Sequence, residues 1–589
     1  MKYINKALDT FIEIIMVLSA LVLTLVTFVG VISRFVFSLP IGWSNDVTRW
    51  SFIYAIFFGA SYAARTNSHL NLDVIIGLLK PKVKIAVEMV ICTLLVVFCL
   101  MVTFLGIKLT MGSGMTQRMP YINMPVGILY AAVPLNSFFM AIFYLEYALN
   151  GIKLIVQNGR EGGDKIMALI LVLFAAFFVG IPIAFALGIV STVGLVSMGS
   201  PLLVVVQRMF TGVDSIPLIA VLLFTLAGAL MQRGGISQRL ISFADVLVGH
   251  LPSGMAMVTI VGCMFFAAIT GSAIAATAAI GGIMIPVMAE KGYDKSFSCS
   301  LMATGGSIGP IIPPSIPLLV YGVLANCSVA KLFLGGIIPG LLMGIGLMVY
   351  SYFLGKRRHY FGREKRATVR ELLCAIKDAL WALITPIIIM GGILSGVFTA
   401  TEAAGVACIY AALIGVFVYH ELDLKGIKES LIESSKTTGI VLLVVGFASL
   451  FTWVITMQMI PQQIATFLEA TIHQRWMLLL VINVILLIAG TFIDTTSAIV
   501  IFAPLFLALA PVFGLDSIHL GVMMAVNLSI GMCTPPLGVC LFVSGELGDI
   551  SLKHMMKDLW PQLLVLIAVL GLITYIPATV TWIPDMLIQ

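Results

Sequence analysis

The chain has 589 residues, of which 60% are hydrophobic and 10% charged, and its mean hydropathy is +1.12. This composition excludes an ordinary water-soluble protein and predicts an all-α polytopic membrane protein whose outer surface faces membrane lipid. The formal net charge of +6 is interpreted as a signal of membrane orientation, so no nucleic-acid partner is expected. The nine cysteines lie mostly in apolar runs and lack metal-ligand spacing, which predicts buried free thiols.

In chain order, the first apolar segments are uninterrupted. We predict a four-helix scaffold domain over residues 1–150, with spans near 11–31, 47–64, 85–107 and 125–149. The first span lacks a small-residue cleavage site, so we expect it to be retained rather than removed as a signal peptide. His69 and Asp73 follow a span end and are expected to anchor this domain at the membrane interface. A short polar cytoplasmic linker, residues 151–165, leads to the larger transport domain, residues 166–589.

The larger domain combines ordinary spans with amphipathic segments. Uninterrupted spans are predicted near 166–195, 214–231, 334–354, 381–398, 403–419, 437–457 and 559–580. Segment 166–195 is either one long helix or two short helices divided at Pro182, and the distribution of basic residues favours one helix. Residues 239–248 and 424–434 place charges on one face and apolar side chains on the other, as in helices that lie along the cytoplasmic interface.

Four further segments of the larger domain form two copies of one pattern, separated by a constant offset of 222 residues. Each copy pairs a hairpin, 252–289 or 476–513, with an apolar span interrupted by two prolines, 296–325 or 518–545. Such a hairpin drawn as one helix would measure about 60 Å, twice the hydrocarbon core, so a re-entrant fold-back is predicted. Because a Pro-Pro pair cannot lie within an unbroken helix, both spans are predicted to be discontinuous helices. Matching residues include Gly292, Asp294, Met302, Ser307, Gly309, Pro313 and Pro314 with Gly514, Asp516, Met524, Ser529, Gly531, Pro535 and Pro536.

The basic residues predict how the chain lies in the membrane. With a cytoplasmic amino terminus, only a few of the 33 Lys and Arg residues fall outside, namely Arg34, Arg49, Lys108, Arg118, Arg208, Lys331 and Arg475. The first hairpin then starts and ends on the cytoplasmic side, and the second starts and ends on the outer side. Inverted repeats with interrupted spans are typical of secondary transporters that alternate access to a site near the bilayer midplane. A continuous channel fits such broken repeats less well.

Short motifs give the chain a resemblance to a known family. The first domain contains Trp43-Ser-Asn-Asp46 and Ala64-Arg65-Thr-Asn-Ser-His69-Leu-Asn-Leu-Asp73, and it resembles the small membrane subunit (Q) of tripartite ATP-independent periplasmic (TRAP) transporters. The second domain resembles the large membrane subunit (M) in Thr270-Gly-Ser272, Ile308-Gly-Pro310-Ile-Ile-Pro313-Pro314-Ser315, Tyr321-Gly-Val-Leu-Ala-Asn326, Lys331-Leu-Phe-Leu-Gly-Gly-Ile-Ile-Pro-Gly340, Phe398-Thr-Ala-Thr-Glu402-Ala-Ala and Thr534-Pro-Pro-Leu-Gly538. The resemblance covers nearly the whole chain. Ala400 departs from it, since the family often has proline there, and the linker is shorter than in some fused relatives.

The resemblance implies a fused permease of the bacterial inner membrane. It would receive a small organic acid from a periplasmic substrate-binding protein and import it with Na⁺ by an elevator-type movement. Similarity to fused sialic-acid permeases makes sialic acid the first expected substrate and C4-dicarboxylates the second. A self-sufficient sodium/carboxylate symporter that needs no binding protein is the alternative. The chain lacks a phosphate-binding G-x-x-x-x-G-K-[ST] loop, a nucleophile–base pair and a metal cluster, so neither ATP hydrolysis nor enzymatic activity is expected.

The hairpin tips carry the candidate sodium ligands. Asp494 stands about 20 residues from any other charge, and a carboxylate at membrane depth costs several kcal/mol unless it is paired. We interpret it as a ligand of a sodium ion or as its close electrostatic support, with oxygen ligands from Thr491, Thr495 and Thr534. The alternative is a solvated aspartate at a tip that dips into a water-filled vestibule. The first tip offers Thr270, Gly271 and Ser272, with Gly305 near the break, although a tight turn needs the same small residues.

The negative charge of the substrate must be balanced without a nearby basic side chain, because neither hairpin and neither broken span contains Lys or Arg. Helix amino termini freed at the double prolines expose unpaired N–H groups that favour an anion. We therefore predict substrate contacts from Ser307, Pro313, Pro314, Ser315, Asn527, Ser529 and Pro535. Asn326 either contributes to the same site or caps a helix.

Glu402 is a conceivable proton carrier. However, Thr399-Ala-Thr-Glu402 has the spacing of a capping box, in which a threonine caps the helix and a glutamate follows three residues later. We therefore predict a structural role for Glu402. The seven histidines lie in loops or near span ends, so no histidine proton relay is expected.

Overall fold

A computed structural model describes residues 2–66, 68–69, 81–155, 180–363, 366–460, 463, 466 and 474–588. Within these ranges the regular elements are helices, and eleven of them are long and apolar enough to cross a membrane. The predicted class of polytopic helical membrane protein is confirmed. Asp73, residues 156–165 of the predicted linker and residues 166–179 of the next predicted span lie outside the described residues.

The chain divides into two compact units. Unit 1 comprises Met1–Leu222 and Leu431–Pro461, and unit 2 comprises Leu223–Ser430 and Gln462–Gln589. Packing therefore groups part of the larger sequence domain with the predicted scaffold over residues 1–150.

In the part of the chain that the structure describes, seven helices precede the first crossing between the units. They are α1 (Lys2–Phe35), α2 (Gly42–Arg65), α3 (Pro81–Leu109), the short α4 (Gly127–Tyr130), α5 (Ala132–Ile155), α6 (Ile183–Ser197) and α7 (Leu203–Val213). A π-helical turn, Thr110–Gly114, extends α3. Helix α5 runs to Ile155, so its last five residues occupy the start of the predicted linker.

The prediction of one uninterrupted helix over 166–195 is wrong at Pro182. Helix α6 begins only at Ile183, after a turn at Gly180 with φ 83° and an extended Pro182 with ψ 135°. A proline disfavours helical backbone at the residue before it, which explains the break. Helix α7 was not predicted, because Gln207, Arg208 and Gly212 interrupt its apolar character.

The chain crosses between the units three times, and the first two crossings run inside continuous helices. The third, between Pro461 and Gln462, falls outside the described residues. The first crossing lies in α8 (Ile216–Arg233), which α9 (Ile236–Val248) follows as the predicted amphipathic helix. The second lies in a later helix, Leu424–Met457, which joins the predicted amphipathic segment 424–434 to the predicted span 437–457 without interruption. The prediction of a separate interfacial helix over 424–434 is therefore wrong, since no glycine or proline breaker separates the two segments.

The contacts within unit 1 include a polar cluster and a close helix crossing. The guanidinium of Arg65 on α2 pairs with Asp9 on α1 at 3.0 Å and with Glu146 on α5 at 2.8 Å. A Cβ atom at Gly59 would lie 2.1 Å from the carbonyl oxygen of Ser435, and one at Gly439 would lie 2.5 Å from the amide nitrogen of Ala60. Helix α2 therefore crosses helix Leu424–Met457 with backbone against backbone, which only glycine permits.

Unit 2 contains two structural copies of the predicted repeat. The first is α10 (Gly254–Thr270), α11 (Ala273–Glu290), α12 (Lys295–Gly306), α13 (Ile316–Leu324) and α14 (Val329–Arg358). After α15 (Val369–Leu394), α16 (Ala400–Leu413) and α17 (Leu424–Met457) come the helices of the second copy. These are α18 (Arg475–Phe492), α19 (Thr495–Leu509), α20 (Ser517–Gly531), α21 (Val539–Gly548) and α22 (Leu552–Tyr575), and the short α23 (Ala578–Leu587) follows.

The two copies interlock. The second half of each broken helix packs on the hairpin of the other copy, so α13 contacts α19 and α21 contacts α11. In the same way α12 packs on α22, and α20 packs on α14. The predicted helix–turn–helix hairpins and discontinuous helices are thus present, and each pair of contacts recurs at the sequence offset of the repeat.

Candidate functional site

The tip of the first hairpin rests on the first break. Gly271 has a left-handed backbone with φ 62°, and the hydroxyl of Ser272 accepts from the amide of Ala275 at 3.4 Å to start α11. A Cβ atom at Gly271 would lie 2.5 Å from the carbonyl oxygen of Pro314, and one at Gly309 would lie 2.6 Å from that of Ser272. The predicted sodium residues of the first tip and the double-proline segment are therefore in direct backbone contact.

The first break is buried, and its hydroxyls bond to local backbone. Ser307 donates to the carbonyl of Thr304 at 2.7 Å, and Thr270 donates to that of Phe266 at 3.2 Å. Ser315 donates to the carbonyl of Pro310 and accepts from the amide of Leu318. A hydroxyl that donates retains acceptor lone pairs, so these groups and nearby carbonyls still offer oxygen ligands to a hard cation. Pro313 and Pro314 are buried between them, and Gly305 is buried in the last turn of α12 beside Cys263.

The second hairpin meets the second break in a corresponding way. The amide of Gly538, at the start of α21, donates to the carbonyl of Thr491 at 3.0 Å. The hydroxyl of Thr495 donates to the sulfur of Met532 at 3.1 Å and lies 3.5 Å from the hydroxyl of Ser529. The predicted sodium and substrate residues of this copy are thus brought together. Thr534, whose hydroxyl donates to the carbonyl of Ile530 at 2.8 Å, is half-buried like Pro535, whereas Pro536 is exposed.

Asp494 caps α19 with only one of its carboxylate oxygens. Oδ2 accepts from the amides of Thr496 at 3.0 Å and Ser497 at 3.1 Å. Oδ1 is buried and has no hydrogen-bond partner among the described residues. A buried, unpaired carboxylate oxygen is costly, because it has lost water and gained nothing in exchange. This environment favours the interpretation as a cation ligand over a solvated tip, in which Oδ1 would face water.

The donor set suits a hard monovalent cation better than a transition metal. In the described ranges no group of three His, Cys, Asp or Glu side chains lies close enough to hold a metal ion. The tips offer instead one carboxylate, several hydroxyls and backbone carbonyls, which are the ligands of hard cations.

The helix amino termini at the breaks expose fewer free N–H groups than predicted. In α13 the amide of Leu318 donates to Ser315, and Pro317 has no N–H. In α21 the amide of Cys540 donates to the carbonyl of Met532 at 3.0 Å. The remaining first-turn amides are those that these termini offer to an anion.

Of the predicted substrate residues, Asn326 lies away from the breaks, and Asn527 is bonded to another helix. Asn326 is exposed beyond the far end of α13, about 13 Å along a nine-residue helix, and its φ of 49° is typical of a residue that ends a helix. Asn527 lies inside α20, where its Nδ2 donates to the backbone and side-chain oxygens of Asn483 at 2.9 and 2.6 Å. Its Oδ1 is buried without a hydrogen-bond partner in the described part of the chain.

The predicted structural role of Glu402 is confirmed. Its carboxylate accepts from the amide of Thr399 at 2.8 Å, and its own amide donates to the hydroxyl of Thr399 at 3.3 Å, which completes a capping box at the start of α16. His69 is buried, with its ring edge-on to Phe185 at 5.7 Å between centroids.

Polar contacts between helices were missed. Gln562 on α22 bonds to Ser300 and Thr304 on α12, and Asn483 on α18 bonds to Thr574 on α22. The signal available in the sequence was an amide within an otherwise apolar span, which marks a residue with a specific partner.

Hairpin tips that rest on broken helices, together with eleven candidate spans among the described residues, are the features of a polytopic secondary transporter. Residues 170–579 match the family model described as "Tripartite ATP-independent periplasmic transporter, DctM component", and residues 23–154 match that of the DctQ component. The chain belongs to the TRAP transporters, and it carries the Q and M membrane subunits in one polypeptide.

Two of three curated relatives match this chain over both membrane subunits, and the third is a large subunit alone. The isethionate TRAP transporter permease protein DctMQ of Oleidesulfovibrio alaskensis is 36% identical over 560 residues, which cover 91% of this chain and 87% of that protein. The sialic acid TRAP transporter permease protein SiaT of Haemophilus influenzae is 33% identical, with both chains covered completely. A large permease protein for C4-dicarboxylates, DctM of Pseudomonas aeruginosa, is 40% identical and covers 64% of this chain and 89% of its own.

Proposed function

We propose that the protein imports a small organic acid across the bacterial inner membrane together with sodium, and that a periplasmic substrate-binding protein delivers the acid. Membership of the TRAP family supports the transport class and the tripartite organisation. The relatives are named for isethionate, sialic acid and C4-dicarboxylates, all of which are organic anions at neutral pH. The distribution of basic residues supports a cytoplasmic amino terminus.

The observation that carries the sodium proposal is the carboxylate of Asp494. One oxygen caps α19, and the other is buried without a partner among the described residues, at the point where the second tip meets the second break. A sodium ion bound there would supply the missing partner, with Thr491, Thr495 and Thr534 adding oxygen ligands. The first tip would hold a second sodium ion through Thr270, Gly271, Ser272 and Gly305, with carbonyl and hydroxyl oxygens as ligands.

Bound sodium would also solve the problem of the substrate's charge. Neither hairpin and neither broken span supplies a Lys or Arg side chain, so the cations would offset the carboxylate or sulfonate of the substrate. Hydroxyls of Ser307, Ser315 and Ser529 would orient it. Coupling then follows, because the substrate site is complete only when sodium is bound.

Alternating access would arise from an elevator-type movement of the hairpins and broken helices of unit 2. Because the two copies interlock through α13 on α19 and α21 on α11, we expect them to move as one body. Because the two hairpins enter from opposite faces of the membrane, this movement would open the site to each face in turn.

Uptake into proteoliposomes with a panel of sialic acid, C4-dicarboxylates and isethionate tests the proposal. We expect one acid to enter only when its binding protein is present outside. Uptake of free acid at the same rate without any binding protein would contradict the tripartite part and favour the self-sufficient symporter.

A further inference from the structure

Gln562 makes a two-point contact with the first broken helix. Its Nε2 donates to the hydroxyl of Ser300 at 2.9 Å, and its Oε1 accepts from the hydroxyl of Thr304 at 2.6 Å. All three side chains are completely buried. Ser300 and Thr304 lie four residues apart, so they share one face of α12, and the amide of α22 spans both.

Helix α12 needs such a contact because it is short and ends at the break. It has twelve residues and stops at Gly306, so chain continuity does not fix the position of its last turn. A contact at two points one turn apart fixes both the rotation of the helix and its shift along its axis. The carbonyl of Thr304 in turn accepts from the hydroxyl of Ser307, the first residue of the break.

The amide is not needed to satisfy the hydroxyl of Thr304. That hydroxyl also lies 3.0 Å from the carbonyl oxygen of Ser300 and 3.2 Å from that of Leu301, within its own helix. An apolar side chain at 562 would therefore leave Thr304 with a partner, and it would avoid burying a carboxamide. The presence of Gln562 is better explained by the position that it imposes on α12.

The second copy of the repeat does not use an equivalent contact. The residue that corresponds to Gln562 by the offset of the repeat is Gly340 in α14, where a Cβ atom would lie 2.4 Å from a side-chain carbon of Ile312. Helix α20 is held instead by Asn483, which bonds to Asn527. The contact made by Gln562 thus acts on one of the two breaks.

We propose that Gln562 is a positioning residue for the first cation site, which acts through Thr304 to set the end of α12 against the first hairpin tip. The proposal rests on the sodium coupling proposed above. Removing the amide should loosen the first site while the second, which includes Asp494, keeps its geometry.

Sodium-dependent uptake by the full chain with its binding protein tests this, with Gln562→Met as the variant. Methionine has a similar volume but forms no comparable hydrogen bonds, so we expect the sodium half-saturation to rise about 5- to 10-fold with a thermal midpoint near wild type. Thr304→Val should give part of this shift, because it removes one of the two hydrogen bonds and leaves the one to Ser300. The double variant should shift no further than Gln562→Met, which already removes both.

Leu566→Met is the matched control, since Leu566 is completely buried one turn further along α22 and makes no polar contact. It should leave the sodium dependence unchanged. Unchanged sodium half-saturation in Gln562→Met or Thr304→Val, or a lower thermal midpoint as the sole effect, overturns the positioning role. If Gln562→Met fails to fold, Thr304→Val alone decides by the same outcomes. If wild-type uptake does not depend on the sodium concentration, the proposed sodium coupling is overturned, and the positioning role of Gln562 with it.

Discussion

Replacing Asp494 by asparagine removes the charge at the second tip and little else. The amide oxygen of asparagine can still accept from Thr496 and Ser497, and Asn and Asp are about equally good helix caps, so the start of α19 should remain. The position of Oδ1, which is buried and has no hydrogen-bond partner in the described ranges, would receive either an uncharged oxygen or an N–H donor. A bound cation would therefore lose its only anionic ligand at this tip.

The size of the effect follows from the charge that is lost. Two unit charges about 4 Å apart attract by about 4 kcal/mol at an effective dielectric constant of about 20. If one half to all of this attraction is lost, the sodium half-saturation should rise roughly 30- to 1000-fold. The protein without sodium should be as stable as wild type or slightly more stable, because an uncharged side chain is easier to bury.

Two assays measure this change. Initial uptake against sodium concentration gives the half-saturation, and the thermal midpoint with and without sodium reports binding independently of transport. Asp516→Asn is the matched control, because Asp516 caps α20 through the amide of His519 at 2.8 Å but is exposed and away from the tip. A mutant of Asp494 with the sodium affinity and rate of wild type would refute the reasoning and restore the solvated-tip interpretation.

Three further predictions concern packing, capping and protonation. Gly439→Val should lower the thermal midpoint by several degrees, because its Cβ atom would lie 2.5 Å from the backbone of α2. Gly571→Ala should not lower it, because a Cβ atom there meets nothing within 4 Å. Equal thermal midpoints for the two variants would contradict the close crossing of α2 and α17. Glu402→Gln should retain sodium-driven uptake at all pH values because glutamine also completes a capping box, and a lost pH dependence would indicate a proton carrier after all. Burial lowers the pKa of His69 to about 4 from its ordinary 6.5. The contribution of the neutral ring to the free energy of unfolding is therefore complete above pH 6.5, and about 3 kcal/mol of it is lost as the pH falls from 6.5 to 4. His69→Phe should flatten this part of the stability profile measured by thermal unfolding, and an unchanged slope would show that His69 is not its source.

The features that sequence reasoning found are local ones. The hairpin tips at Gly271 and Asp494 and both broken helices follow from uncharged runs of known length and from Pro-Pro pairs, which act on the backbone wherever they occur. The capping box at Glu402 is equally local, because its two partners are three residues apart.

The features that were missed depend on distant partners. The sequence around Gly59 does not predict its packing against the helix that contains Gly439, and the sequence around Gln562 does not predict its contact with Thr304. Helix periodicity predicts a buried face but not which residues cover it. Pro182 indicates the break before α6, whereas the distribution of charges favours one helix and is misleading at this position. The position of Asn326 relative to the break depends on the bounds of α13, which the sequence alone does not give.

The most direct test of the account is uptake of the cognate acid, presented by its binding protein, into proteoliposomes that hold this chain alone. An inward sodium gradient should drive accumulation, and an inside-negative potential should increase it if net positive charge enters, by about 2.3 kcal/mol per charge for each 100 mV. Equal accumulation with a potassium gradient or a bare proton gradient in place of sodium would contradict the sodium-coupled mechanism.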